Sequence, residues 1–305
     1  MLTFVGAATL DALALVDRYP AADERVVAAE ISYAGGGPAA TAAVVAARQG
    51  HDVAFVGAVG DDSEGQQIIA GLQAEGVRTE GIVVVEAGRS AASVVVVAQE
   101  SSTRAICNRQ PPVVDLETRP AVLELLAASA WVHVDHIGWA PTRSALGKLA
   151  QPPLLSYDGG HQVAGFSAAG LTLYAPTIAA LELRFGSAGT ERLLALAQRE
   201  SRGAVVATDG SAGSWVLEET GTLTRVPTFP VDVVSTLGAG DVFHGALVAA
   251  LADSHPLPEA ARRASATAAL SCRALDGRTA VPGLSELDTF LASRLDPAAA
   301  SSDLT

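Results

Sequence analysis

The residues best suited to chemistry form a glycine-rich turn that leads into an apolar helix. Gly238, Ala239 and Gly240 precede Asp241, and apolar residues then recur at helical spacing up to Leu251. The first N–H groups of such a helix and the positive end of its dipole point back at the turn, where they would stabilise a phosphate. Asp241 can therefore either cap the helix or face the phosphate and accept a proton from an attacking hydroxyl.

Two further glycine-containing turns offer backbone N–H groups to a ligand. Residues 35–38 precede a predicted helix of small residues that runs from about 39 to 49 and ends at Gly50. Residues 208–213 follow a short predicted strand. Glycine lets a ligand approach the main chain in such turns without meeting a Cβ.

Other polar residues follow the predicted strands. Asp11 comes just after a predicted first strand over residues 2–8. Ligands of open α/β sheets bind beyond the carboxyl ends of the strands, so this carboxylate is either a ligand-binding group or a solvated loop residue. His136 and His161 have the same two interpretations. Asn108 ends a later strand and either reaches the cleft or lies in a plain loop.

The order of the predicted elements indicates the fold class. Strands alternate with helices along most of the 305 residues, which predicts one α/β domain. Residues 82–109 instead contain predicted hairpin strands. Together with residues 12–35 they are expected to form a small sheet inserted in this domain. The polar tail over 297–305 is expected to fray.

Composition excludes several classes of function. The net charge is −13 and no run of basic residues occurs, which argues against a nucleic-acid-binding protein. Cys107 and Cys272 have no metal-type spacing. The sequence lacks a signal-peptide pattern, and no apolar run approaches the ~18 residues that span a bilayer. We therefore expect a cytoplasmic protein that acts on small molecules and not on a membrane.

The three turns together resemble the ribokinase-like (PfkB) family of carbohydrate kinases, and the likeness covers nearly the whole chain. Residues 35–50 and 55–62 resemble its first signature, and residues 236–243 resemble its threonine-glycine-alanine-glycine-aspartate turn. Residues 208–213 resemble its nucleotide-binding turn. The resemblance implies a doubly wound α/β sheet flanked by helices, with a small β-sheet lid. It also implies phosphorylation of a sugar hydroxyl with ATP and Mg²⁺, and it leaves open a monovalent cation.

The resemblance also implies roles for individual residues. Asp241 would be the base, and the N–H groups of Gly238, Ala239 and Gly240 would hold the transferred phosphoryl group. The residues implied to hold the sugar are Asp11, Gly36, Gly37, Thr41 and Asn108. The residues implied at the nucleotide site are Thr208, Gly210, Gly213 and Thr236. Residues 277–282 would lie by the adenine.

Several positions depart from the family pattern. Ser235 stands where relatives usually carry an aspartate. An asparagine-x-x-glutamate motif that helps to hold the metal corresponds to Thr177 and Ala180, and Glu182 would replace its glutamate only after a shift of two residues. Since a charged hydrogen bond contributes ~1.5–3 kcal/mol, these changes would weaken the binding of Mg·ATP. The metal ligands therefore stay unassigned.

We weighed three functions against these residues. An ATP-dependent sugar kinase of the ketohexose or sulfofructose branch fits the intact turn at 238–241. A kinase-like protein that binds a sugar or nucleotide without turnover fits the departures. A dinucleotide-dependent dehydrogenase fits poorly, because no glycine-rich turn follows the first strand with an acidic residue ~20 positions further on. A homodimer formed through the β lid is also expected.

Overall fold

A computed structural model describes residues 1–101 and 103–294, so the predicted polar tail lies outside the described residues. The strands of this part of the chain are β1 (Leu2–Val5), β2 (Thr9–Val16), β3 (Glu30–Gly36), β4 (Val53–Gly60), β5 (Arg78–Val85), β6 (Ala92–Ala98), β7 (Thr103–Arg109), β8 (Trp131–Val134), β9 (Leu154–Gly159), β10 (Leu173–Pro176), β11 (Ala204–Thr208), β12 (Ser214–Leu217) and β13 (Leu223–Val226). The helices are α1 (Pro38–Arg48), α2 (Ser63–Ala74), α3 (Pro120–Ala127), α4 (Trp139–Leu146), α5 (Ile178–Phe185), α6 (Thr190–Ser201), α7 (Ala239–Ala252), α8 (Leu257–Ser271) and α9 (Leu284–Ser293).

A nine-stranded sheet forms the centre of the molecule, in the order β13-β12-β11-β10-β9-β8-β1-β4-β5. Every neighbouring pair of strands from β5 across the sheet to β11 is parallel. The β11–β12 and β12–β13 pairs are antiparallel. β1 and β4 are buried along their whole length, as expected for parallel strands covered on both faces. Helices α1, α2, α7 and α8 cover one face, and α3 to α6 cover the other. The predicted α/β fold class is confirmed.

A second sheet, the small sheet, has four strands in the order β3-β2-β6-β7. Two expectations about it were wrong in detail. Residues 82–85 belong to β5, whose residues pair with β4 in the main sheet. Asp11 does not follow the first strand but lies within β2, because β1 ends at Val5 and the chain re-enters the second sheet at Thr9.

Helices α1 and α7 pack closely and begin at the same end of the main sheet. Every residue of α1 from Ala39 to Ala46 is buried, which its alanine and valine side chains allow. Gly245 of α7 lies against this helix, and a Cβ there would collide with the carbonyl oxygen of Ala42. The turns before the two helices therefore face one another. Among the described residues, no helix is long and apolar enough to cross a membrane.

Candidate active site

A cavity of about 630 Å³ lies beyond the carboxyl ends of the parallel strands, below the small sheet. The structure brings eleven of the candidate residues together in its lining: Asp11, Gly36, Gly37, Thr41, Asn108, Thr208, Thr236, Gly238, Ala239, Gly240 and Asp241. Gly210 and Gly213 lie outside this lining, in the turn after β11. Gly213 instead packs against the backbone of Val226 and Pro227 at the start of the next loop. Their nucleotide-binding role stays a prediction.

The turn before α7 presents unengaged N–H groups to the cavity. Gly238 precedes the helix with a φ of 73°, in the left-handed region that glycine tolerates. Within the described chain, the backbone N–H groups of Gly238 and Gly240 find no hydrogen-bond acceptor. The N–H of Ala239 donates to the carbonyl oxygen of Thr236 at 3.3 Å, so it is partly used by the turn itself. This geometry suits an anion at the helix start.

Asp241 lies in the first turn of α7 and does not cap the helix. No side chain caps this helix in the described residues, and Asp241 is third in the helix after Ala239 and Gly240. Its carboxylate lines the cavity. Burial, together with the negative charges of Asp158 and Asp135, raises the pKa of Asp241 to about 7, although His244 and Arg278 act in the opposite direction. A carboxylate with such a pKa is a far better base at neutral pH than an ordinary aspartate.

Asp11 offers an unsatisfied acceptor in the same cavity. Its Oδ1 is buried and has no hydrogen-bond partner in the described part of the protein, so a ligand hydroxyl could supply one. Gly36 allows this placement, since a Cβ at Gly36 would collide with the Asp11 carboxylate. Burial raises the pKa of Asp11, although the nearby hydroxyl groups of Thr9 and Ser93 and the charge of Arg278 act in the opposite direction.

Arg278 lies outside the cavity lining and contacts two of its residues, Gly36 and Thr41. Its Nη2 donates to the carbonyl oxygen of Gly36 at 2.7 Å, and its Nε donates to Thr41 Oγ1 at 3.2 Å. Burial lowers the pKa of Arg278 to about 10, and the guanidinium remains charged at neutral pH. The expectation that residues 277–282 lie by an adenine stays a prediction, and within this segment the Arg278 side chain reaches the loop at the start of α1.

A buried carboxylate joins the strand ends around the cavity. Asp135 follows β8, and its Oδ2 accepts hydrogen bonds from the N–H groups of Ala7 at 2.8 Å and Ala39 at 3.2 Å. Its Oδ1 accepts from Ile137 at 2.8 Å and Gly138 at 2.9 Å. Burial raises the pKa of Asp135. Its function is to fix the loops that carry the candidate residues.

The small sheet contacts the turn before α7 through Arg104 of β7. Its Nη1 donates to Thr236 Oγ1 at 2.9 Å. Asn108 and Arg109 of the same strand both line the cavity, and the Arg109 side chain also forms an ion pair of 3.2 Å with Glu64. His136 and His161 also line the cavity and stack with their ring centroids 4.4 Å apart.

The positions that depart from the family pattern have structural uses. Ser235 Oγ accepts a hydrogen bond from Leu237 N at 3.1 Å. Thr177 caps α5 by accepting from Ala180 N at 3.0 Å, and Glu182 is exposed and outside the cavity lining. Glu182 therefore does not replace the missing metal ligand. No group of three or more histidine, cysteine, aspartate or glutamate side chains in residues 1–101 and 103–294 could hold a metal ion.

Sequence reasoning missed three residues of this site: Asp135, His244 and Arg278. His244 could have been found, because it lies three residues after Asp241 and so shares a helix face with it. Asp135 directly follows β8, at the carboxyl end of a parallel strand, where open α/β sheets bind ligands. Arg278 gave no local signal, since its partners lie more than 230 residues away.

Comparisons with known proteins agree with this geometry. The model of the pfkB family of carbohydrate kinases matches residues 1–152 and 164–283. The ATP-dependent ribose-1-phosphate kinase of Halopiger xanaduensis is 28% identical over 92% of this chain and 94% of its own length. The ribokinase of Bacillus subtilis is 25% identical over 94% of this chain and 98% of its own. A solved structure from Agrobacterium tumefaciens is 29% identical, covers 96% of this chain and 98% of its own, and superposes with a TM-score of 0.84.

Proposed function

The chain belongs to the pfkB family of carbohydrate kinases, and on that premise we propose that it transfers the γ-phosphoryl group of ATP to a hydroxyl of a small sugar or sugar-like compound. One observation carries the proposal. The Asp241 carboxylate, the free N–H groups of Gly238 and Gly240, and the unsatisfied Asp11 Oδ1 all belong to one cavity. That cavity thus holds a base, an anion site and a polar acceptor for a sugar.

In this proposal, the sugar is held by groups at the start of α1 and in the small sheet. Asp11 accepts hydrogen bonds from sugar hydroxyls, while Gly36 and Gly37 let the sugar approach the backbone. Thr41 and Asn108 supply further polar contacts. These groups would orient one hydroxyl toward Asp241, and such positioning supplies a large part of the rate in phosphoryl transfer.

Transfer then depends on the turn before α7. The transition state of phosphoryl transfer is loose and spreads negative charge over the equatorial oxygens. The N–H groups of Gly238 and Gly240 would donate hydrogen bonds to these oxygens, and the partly used N–H of Ala239 would add a weaker one. Each such donor typically stabilises the transition state by ~2.7–4 kcal/mol. Asp241 accepts the proton of the attacking hydroxyl as the new O–P bond forms and the bond between the γ-phosphorus and the bridging oxygen breaks, so that ADP leaves. Arg104, which already contacts Thr236, adds a positive charge above the turn.

ATP is proposed to lie along the cavity beside Thr208 and Thr236, with Gly210 and Gly213 shaping the turn after β11. The relative from Halopiger xanaduensis is named as ATP-dependent, which supports ATP as the donor. The described residues offer no cluster of metal ligands of their own. Mg²⁺ is therefore proposed to enter as part of Mg·ATP, held mainly by the phosphates and water. The small sheet would act as a lid that excludes water.

For the acceptor we propose a ketohexose or sulfofructose, on the basis of the loop over residues 35–41 and the segment 242–245. The named relatives act on ribose 1-phosphate and ribose, so both compounds belong in the same test. Membership of a kinase family favours turnover over the alternative of a binding protein without activity.

The decisive experiment measures ADP release from Mg·ATP with ketoses, sulfosugars, pentoses, ribose 1-phosphate and nucleosides. We expect release that depends on one class of sugar and that is lost in Asp241→Asn. Release without any added sugar, at the same rate, would indicate simple ATP hydrolysis. No release with any compound, combined with thermal stabilisation by one of them, would contradict the proposed turnover and support the binding-protein alternative.

We also propose that the small sheet mediates a homodimer. One of its faces packs on the core beside Leu275, but the other face is apolar and exposed. Ile31, Tyr33 and Val94 on this outer face are 68%, 74% and 55% exposed. The strand register places Tyr33 beside Ala12 and Ala12 beside Val94, so the apolar surface is continuous. Continuous exposed apolar patches mark interaction sites, and a second copy offers the same apolar sheet.

Substitution of Tyr33 by glutamate is expected to convert a dimer into a monomer, because burying the new charge at the interface is costly. Light scattering coupled to size exclusion measures the change. Leu183→Glu is the matched control, because Leu183 is 70% exposed on α5, away from the small sheet, and its substitution should leave the dimer intact. A monomeric unsubstituted protein would contradict this proposal.

A further inference from the structure

A buried histidine–aspartate pair lies beside Asp241 in the lining of the same cavity. His244 is on the same helix, three residues further on, and its Nδ1 lies 3.4 Å from Asp158 Oδ2 at the end of β9. The two side chains are only 4% and 7% exposed. Asp158 also accepts a hydrogen bond from Gly160 N at 2.8 Å. A histidine and an aspartate that are buried together are stable only as a matched pair of charges or as a neutral pair.

The surroundings of His244 favour the charged pair. Two carboxylates, those of Asp158 and Asp241, act on the His244 ring. A second imidazole, that of His133, also lies near His244, and the two ring centroids are 5.6 Å apart. The Nδ1 of His133 lies 2.8 Å from Ser156 Oγ, and burial lowers the pKa of His133 to about 3, so this ring is neutral. His244 is therefore the positive group between two negative ones.

The chain next to Asp158 gives this carboxylate no positive side chain, because Gly160 and Gln162, two and four residues further on, are uncharged. Without His244, Asp158 would face Asp241 as an uncompensated negative charge in a buried site. Two neighbouring carboxylates raise each other's pKa, so Asp241 would hold a proton at neutral pH and could not act as a base.

We propose that His244 is a positioning residue which, as an imidazolium paired with Asp158, keeps Asp241 ionised and so sets the pH range in which the enzyme works. This inference rests on the proposed role of Asp241 as the base. The charged groups that act on Asp241 come from four elements: Asp158 from β9, His244 from α7, Asp135 after β8 and Arg278 after α8.

The electrostatics of the pair agree with this assignment. Burial alone would lower the pKa of His244, but the adjacent Asp158 carboxylate outweighs it, and the pKa of His244 is raised. Burial would likewise raise the pKa of Asp158, but the charge of His244 outweighs it, and the pKa of Asp158 is lowered. Both shifts favour the charged pair at neutral pH.

The first test is the pH dependence of kcat/KM, whose acid limb reports the base of the free enzyme. For the unsubstituted enzyme the limb should lie near pH 7, since Asp241 has a pKa of about 7 and is inactive when protonated. In His244→Asn the limb should move upward by about 1–3 pH units, the usual effect of losing an opposite charge. In Asp158→Asn/His244→Asn both charges are gone, and the limb should move back down.

A matched control exists at the other end of α7. His51 Nε2 lies 3.5 Å from Asp253 Oδ2, a pair of the same type outside the cavity lining. His51→Asn should leave the acid limb where it is. An active His244→Asn enzyme with an unmoved limb would overturn the proposal while leaving the kinase function intact. If the unsubstituted protein showed no sugar-dependent turnover, the proposed function itself would be wrong.

A second measurement needs no substitution and therefore does not depend on a variant that folds. NMR titration of the protein with isotopically labelled histidine reports the charge of each imidazole. The His244 ring is expected to stay protonated through pH 7, above the ordinary histidine pKa of ~6.5. A His244 ring that is neutral at pH 6 would overturn the proposal whatever the activity data show.

Discussion

Asp241→Asn is expected to reduce kcat by about 10²–10⁴-fold, the usual contribution of a general base. The asparagine amide has nearly the same shape as the carboxylate but cannot accept the proton of the sugar hydroxyl. Sugar binding should change by only a few-fold, because Asp11 and the loop before α1, which are proposed to hold the sugar, are unchanged in this variant. Single-turnover kinetics and a direct sugar titration measure the two effects separately.

The control for this substitution lies on the same helix. Asp253 is the residue that ends α7, it is half exposed, and it is not part of the cavity lining. Asp253→Asn removes an equal charge and should leave kcat within a factor of about two. If Asp241→Asn kept near-normal turnover, the assigned base would be wrong. If both variants lost activity equally, the effect would come from helix stability and not from proton transfer.

Gly238→Ala is expected to lower kcat by about 10²–10³-fold, the usual effect of losing one oxyanion donor. Gly238 has a φ of +73°, where a Cβ costs ~1–2 kcal/mol. The added Cβ would also lie 3.0 Å from the Cα of Gly277, which is backbone and can yield only if the turn shifts. The N–H groups of the turn would then no longer converge on one anion. Steady-state kinetics should show the loss in kcat, with a smaller change in KM for the sugar.

Gly76→Ala separates backbone strain from catalysis. Gly76 has a φ of +76°, close to that of Gly238, and a Cβ there meets nothing within 4 Å. It follows α2, outside the cavity lining. Gly76→Ala should therefore show the cost of backbone strain alone, and Gly238→Ala should lose at least as much free energy of unfolding, which thermal denaturation measures. Only Gly238→Ala should lose kcat. A normal kcat in Gly238→Ala would show that the turn does not hold the transferred group.

Much of the fold and the site could be predicted because the signals are local. Hydrophobic periodicity indicated the strands and helices, and glycine positions marked the turns where a ligand approaches backbone. The turn at residues 238–241 was recognised as an anion site from its glycines and the helix after it. The structure adds that Asp241 lies inside this helix and does not cap it. That choice depends on the exact start of α7, and helix boundaries are poorly determined by sequence pattern.

The assignment of strands to the two sheets could not be predicted from local sequence patterns. Residues 82–85 are a short apolar segment that resembles the hairpin strands after them in sequence. In the structure they pair with β4 in the main sheet. Asp11 was placed after a strand, yet it lies within one, because the chain needs only residues 6–8 to pass from one sheet to the other. Pairing partners are chosen by packing between distant segments, which strand propensity does not encode.

The sequence by itself therefore determined the α/β class, the family resemblance, the anion-binding turn and most of the candidate residues. Only the tertiary structure decided which charges meet in the cavity. Arg278 contacts Thr41 across 237 residues, and Asp158 meets His244 across two segments that have no common pattern. The pKa of Asp241 depends on these neighbours and on its burial. Burial and charge proximity are properties of the packed chain, since in the unfolded chain water would separate and screen the same groups.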